Sequence, residues 1–202
     1  MVTCRRLSMV VTFAVALIIS VGAARAEVSV EQKAFFADFV ADLERVGGRL
    51  AQLAEAVPAD QFGWAPNDAV RTISQVYVHA TFVNFFLPPA LGATPASGYE
   101  VPEGTHPMEL MHKWETEMTD KEAVIAKLEE SFAYAALAVP TITDLDTIVE
   151  TFGFPGTKRA YLLILLTHAH EHLGQSIAYA RSIGVVPPWS QPAGGEGGGE
   201  GN

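Results

Sequence analysis

The stretch from Lys158 to Ile183 limits what this chain can become more than any other. It contains no proline and only one glycine, Gly174, and Leu162, Leu163, Ile164, Leu165, Leu166, Leu173, Ile177, Ala178 and Ala180 make it apolar on nearly every side. It predicts a helix from Thr157 or Lys158 to Ile183, with Gly184 as its C-terminal cap and Pro187-Pro188 preventing continuation. A helix apolar all round is central or lies at a subunit contact. Into it are set three of the six histidines, His168, His170 and His172. At about 3.6 residues per turn, His168 and His172 share one face and His170 points roughly the opposite way. Two imidazoles one turn apart are costly as unpaired polar groups in a core, and they supply two of the three protein ligands a catalytic metal typically takes.

The rest of the chain carries long segments of the same period. From Val28 to Val57, Phe35, Phe36, Phe39, Leu43, Val46, Leu50 and Leu53 recur at spacings of three and four with charged residues between, which predicts an amphipathic helix ended by Pro58. Gly47-Gly48 in its middle marks a bend or a close helix crossing. The turn-rich loop to Val70 carries Trp64, an aromatic able to plug the end of a bundle. A second helix is expected from about Thr72 to Leu87, stopped by Pro88-Pro89. One of its faces presents Gln75, Val76, His79, Phe82, Val83 and Phe86. Ala90 to Pro107 is too irregular for a strand, and His106 in it is expected in solvent. Met108 to Val139 is helical in two pieces, because Thr119-Asp120-Lys121-Glu122 has the form of a capping box. In the first piece His112 has no partner at ligand spacing. Thr147 to Phe152 is β-like but short, and Gly153 and Pro155-Gly156 argue for a loop. The expected fold is all-α, an antiparallel four-helix bundle.

The N-terminus has a different composition. Arg5 and Arg6 precede an apolar stretch from Leu7 to Val21, and Ala24-Arg25-Ala26 has the small-x-small form of a signal-peptidase site, so residues 1–26 resemble a signal peptide cleaved before Glu27. The apolar stretch falls short of the roughly 20 residues that span a bilayer. Removing it takes away three arginines and no acid, which changes the formal charge from −10 to −13. The expected domain covers residues 27–190, and 191–202 form a low-complexity Gly/Glu tail that can bury nothing. So acidic a chain has no basic stripe for nucleic acid or an anionic membrane, and the signal sequence is its one membrane-directed element. The single cysteine, Cys4, leaves with the signal, so any metal is held by histidine, carboxylate or water. The expected location is periplasmic or secreted.

No zinc-peptidase H-E-x-x-H is present: Ala169 follows His168, and Glu171 precedes the second histidine instead of following the first. There is no G-x-S-x-G elbow and no phosphate-cradling glycine loop. Taken alone, His79 on its aromatic face is more simply a hydrogen-bonded core residue, and the residues by themselves leave open whether His168 and His172 hold metal.

Two groups of residues together resemble the DinB-like (DinB/YfiT) family. Thr167-His168-Ala169-His170-Glu171-His172-Leu173-Gly174-Gln175, with Ala178 to Arg181 and Gly184 to Ser190 after it, is similar to that family's last helix. Phe62-Gly63-Trp64-Ala65-Pro66, Val70 to Ile73 and Val76 to Ala80 are similar to its second helix and the loop before it. The resemblance spans about residues 30–190. It implies a four-helix bundle, often a homodimer, in which His79, His168 and His172 bind a divalent metal; zinc and nickel both suit imidazole. Members with known activity include thiol-dependent S-transferases and isomerases. Such a metal can activate water, polarise a carbonyl or bind a thiolate, so a hydrolase-like or transferase-like enzyme acting on a small molecule is expected. Export makes thiol transfer less natural, since low-molecular-weight thiols are expected mainly in the cytoplasm. Phe82, Phe86 and Tyr179 would form an aromatic wall, Gln175 would orient a ligand or make an interhelical bond, and Glu150 and Asp68 are candidates for a general base. The alternative is a non-catalytic envelope protein that binds metal or a small ligand through the same histidines.

Overall fold

The computed structural model describes residues 30–191. The expected signal peptide, and the tail from residue 192 onward, lie outside the described residues. Five α-helices and one hairpin follow in the order α1 (Val30–Ala56), α2 (Ile73–Ala90), α3 (Pro107–Glu117), α4 (Lys121–Ala138), β1 (Ile148–Thr151), β2 (Phe154–Thr157) and α5 (Lys158–Ser182). Among the described residues no helix is long and apolar enough to cross a membrane.

The spacing of α1 explains its packing. Leu43, Val46, Leu50 and Leu53 are fully buried, each contributing about 1.5–3 kcal/mol relative to exposure, and together they outweigh the cost of two mid-helix glycines, about 1 kcal/mol each. The glycines play different parts. A Cβ on Gly47 would lie 2.6 Å from ring atoms of Phe132 on α4, whereas one on Gly48 would meet nothing. Of the two meanings open for this pair, the close crossing is the one found, and Gly47 makes it.

Contacts along the helices fix their directions. Lys121, at the start of α4, donates to the carbonyls of Glu55 and Val57 at the end of α1, at 2.8 and 2.6 Å, so α1 and α4 run antiparallel. The α2 and α5 helices are antiparallel too: His79 meets His168, while Phe86 at the far end of α2 packs on Phe152 just before α5. The α2 and α4 helices run the same way, with Ser74 on Met118 and Asn84 on Ser131. So do α1 and α5, with Arg159 over Phe35 and Asp42 on His170. The expected antiparallel relation therefore holds for two of the four neighbouring pairs. The long crossover over residues 91–120, which carries α3, lets the consecutive α2 and α4 run parallel, and the parallel α1 and α5 follow from it. The short α3 lies against α2.

Three local expectations are corrected. Pro88-Pro89 do not stop α2 at Leu87; they form its last turn. A proline there removes a donor, but its fixed φ is helical, and the turn closes beyond it. Gly92 at φ +102° donates to Pro89 and Ala93 donates to Pro88, the paired bonds of a Schellman cap. The box at Thr119 is not used. Asp120 caps α4 by accepting from the amide of Ala123, while the reciprocal box sits at Thr72 and Gln75. The segment read as a loop is a hairpin, so the fold is mostly helical and not strictly all-α. Phe152 and Gly153, at φ +54° and +83°, make the positive-φ pair that a two-residue turn needs. Pro155 faces Glu150, one step from the turn, where an antiparallel ladder does not call on its missing N–H. The Tyr161 hydroxyl pins the hairpin to α5 by donating to the carbonyls of Thr151 and Phe154.

Substituting Gly47→Ala is expected to destabilise the protein by about 1–3 kcal/mol through overpacking against Phe132. Gly48→Ala, in open space, is expected to stabilise it by about 0.5–1 kcal/mol. Urea unfolding of both variants measures the contrast, and equal effects would show that the crossing does not set the difference.

Candidate metal centre

The buried stripe of α5 runs Leu162, Leu165, Ala169, His172, Leu173, Ser176 and Ala180, so His172 is carried into the core by its apolar neighbours. His168 lies one turn before it. His79 comes from the facing side of α2, carried in by the buried Val76, Phe82 and Val83. The three rings meet nitrogen to nitrogen. His79 Nε2 lies 3.0 Å from His168 Nε2, and His172 Nε2 lies 2.9 Å from the same atom. All three ligand atoms fall within 4.8 Å of one another. Three nitrogens around a tetrahedral ion would stand about 3.3 Å apart, so the two separations that His168 makes, 3.0 and 2.9 Å, are within tenths of an ångström of that spacing.

The outer nitrogens decide how this cluster behaves. His79 Nδ1 donates to Glu115 Oε1 at 3.1 Å and His172 Nδ1 donates to Gln175 Oε1 at 2.9 Å. A neutral imidazole has a single N–H, so both Nε2 atoms present lone pairs to His168. His168 Nε2 carries at most one proton, and that proton can satisfy only one neighbour. At least one pair of nitrogens therefore faces lone pair to lone pair, an arrangement that a cation between them relieves. Burial pushes the His168 imidazole down to about 3, with the neighbouring His172, His79 and Arg71 adding to it. Burial lowers His172 also, against the opposing bond to Gln175. Neutral rings, with lone pairs free at neutral pH, are the form that binds metal. The three histidines thus fit a divalent ion.

The surrounding groups hold the rings in place. Glu115 on α3 is buried, at 7% exposure, and also accepts from Arg71 Nε at 2.9 Å. Burial works to raise its pKa, but the hydrogen bonds from His79 and Arg71 prevail and hold it below the usual carboxylate range. Gln175 in turn donates to the Tyr179 hydroxyl at 3.2 Å, and Tyr179 packs edge-on against Trp64 at 5.5 Å. Gln175 therefore holds the His172 ring through a bond within its own helix, not an interhelical one. Glu115 is the residue that sequence reasoning missed. Its one signal was its position a turn beyond Met111 on the apolar side of a short helix, where a carboxylate must have a partner.

The other candidates are placed apart. His170 lies on the opposite side of α5 and bonds Asp42 of α1 at 2.8 Å. His112 is largely exposed, 3.6 Å from the second oxygen of Glu115. His106 is exposed and caps α3 by accepting from Met108. The aromatic wall divides. Phe82 and Phe86 stack at 5.8 Å and extend to Trp114 and Phe152, while Tyr179 serves Gln175. Glu150 lines a cavity of about 780 Å³ with Phe86, His106 and Phe152, and Asp68 lines one of about 470 Å³ beside Arg71 and Glu115. Among the described residues neither carboxylate is hydrogen-bonded to the three histidines.

A mostly helical protein with a three-histidine cluster between two of its helices is the class these observations define. The sequence matches the DinB superfamily over residues 42–176, a span that includes all three histidines, and the chain belongs to that superfamily. A crystal structure of a DinB-like protein from Bacillus cereus shares the fold, with a TM-score of 0.57 and 16% identity over 74% of this chain and 93% of that one. No curated protein matches the sequence.

Replacing Glu115 with Gln removes the charge that fixes the His79 ring. Metal affinity, read by competition with a chromophoric chelator, is expected to fall by about 10- to 100-fold with the helical circular dichroism unchanged. Unaltered affinity would mean that Glu115 does not support the ligand set.

Proposed function

We propose that the protein is an exported metal-dependent enzyme of small-molecule chemistry, hydrolase-like or transferase-like, whose divalent ion, zinc or nickel, is held by His79, His168 and His172. The observation that carries this is the convergence of three Nε2 atoms at 2.9 and 3.0 Å with two of the outer nitrogens committed to Glu115 and Gln175. An ion there would supply Lewis acidity toward a carbonyl, a water or a thiolate. The chain's own part is to keep three imidazole donors aimed at one point, with burial holding His168 and His172 neutral. The four long helices are read as a four-helix bundle with α3 appended. A homodimer is read from Leu163 and Ile164, which leave apolar surface exposed on α5. Residues 1–26 are read as the export signal.

Metal analysis of the untagged protein tests the centre. Wild type is expected to carry a divalent metal that the variant His79→Ala/His168→Ala/His172→Ala lacks, and equal content in the two would end the proposal. Hydrolysis of esters, amides and lactones, and thiol transfer with and without added thiols, then test the activity. The absence of a hydrogen-bonded general base among the described residues favours a second reading, a metal- or ligand-binding protein without catalysis, and a metal-loaded protein silent in every assay would support it. The intact mass of protein recovered from a secreting host is expected to begin at Glu27; a chain still carrying Arg5 and Arg6 would count against export by cleavage.

A further inference from the structure

Arg71 stands directly before the Thr72 cap of α2, and its guanidinium is held from one side. Its Nε donates to Glu115 Oε1 at 2.9 Å, and its side chain keeps 33% of its surface open while Glu115 keeps 7%. Among the described residues its two terminal nitrogens have no protein acceptor. Arg71 lines a cavity of about 470 Å³ with Asp68, Gln75, His112, Glu115 and Gln175. Two of these wall residues, Glu115 and Gln175, are the direct partners of His79 and His172, so the cavity is one side chain removed from the imidazole cluster.

The charges around Arg71 leave it free to take an anion. Glu115 is shared between the Arg71 Nε and His79. Asp68 forms no ion pair with the guanidinium among the described residues. Backbone donors do not compete for the part. In the first turn of α2 the amides of Ile73 and Ser74 donate to the Trp64 and Phe62 carbonyls, and that of Gln75 donates to Thr72. In a chain of formal charge −10, a fixed guanidinium beside the imidazole cluster is a local exception. A planar fork with two free arms matches the two oxygens of a carboxylate.

We propose that Arg71 is the anion-recognition residue of this site, and that the small molecule the site takes carries a carboxylate, received by the free arms of Arg71 while the rest of the molecule extends toward the histidines. The inference rests on the metal-centre reading only for where the other end of the molecule goes.

Calorimetric titration of cobalt-loaded protein with benzoate and with benzamide, matched in shape and different in charge, tests it, with cobalt content measured in each sample. Wild type is expected to bind benzoate more tightly than benzamide. Arg71→Gln is expected to weaken benzoate by roughly tenfold or more while leaving cobalt content and the benzamide response unchanged, and Arg71→Lys should fall between. Equal benzoate affinity in wild type and Arg71→Gln overturns the proposal. So does joint loss of cobalt and benzoate, which would make Arg71 a support for Glu115. If wild type takes up no cobalt yet binds benzoate in an Arg71-dependent way, the metal centre fails and the anion site stands.

Discussion

Three imidazole nitrogens directed at one another inside a helical protein are unfavourable unless something positive stands among them, and most of what surrounds them here follows from that. Glu115 and Gln175 hold the outer nitrogens and so select the ring form whose lone pairs face inward. Gln175 also donates to Tyr179, and Glu115, fixed by its place in α3, also accepts from Arg71. The antiparallel packing of α2 on α5 brings a residue of one helix against two residues of the other across 89 positions of sequence. Without the facing nitrogens, a buried carboxylate tied to an arginine and a glutamine tied to a tyrosine would be two unrelated details. With them, they are the two sides of one mounting.

How far this was legible beforehand depended on the range of the interaction involved. Helix periods are local, so α1, α2, the two pieces around Met118 and α5 could be read from residues three and four apart. The shared face of His168 and His172 is local too, as is the opposite orientation of His170. His79 was recognised only through a motif, because nothing nearby in sequence separates a ligand from a core histidine on an aromatic face. Glu115 belongs to a contact between α3 and α2 that no local pattern announces. Proline misled at Pro88-Pro89 because its effect depends on position: in a last turn that a Schellman cap completes, the lost donors cost little. The hairpin was hidden because Phe152 takes a positive φ that glycine or asparagine usually supplies.

The superfamily match and the shared fold speak to architecture, while function lies in the side chains of the site. At 16% identity the Bacillus cereus structure shares the fold of this chain, and near the histidines this chain places the guanidinium of Arg71 and the carboxylate of Glu115. That space is bounded on one side by the short α3, which contributes His112 and Glu115. An element of this size can be exchanged without disturbing the long helices, which is how function comes to lie in sites grafted on a fold.

The order in which the helices pack has a consequence for how the molecule comes into being. The first two helices among the described residues, α1 and α2, each find their main partners in α4 and α5 rather than in one another. A nascent chain that has reached residue 90 therefore holds two amphipathic helices with no mate. The short α3 comes next and lies mainly against α2, α4 then packs on both, and α5 comes last with two of the three histidines. Assembly of the centre must then be a late event, after most of the core is formed, so a chain truncated within α5 would be a nearly complete helical body with an open seam where its function belongs.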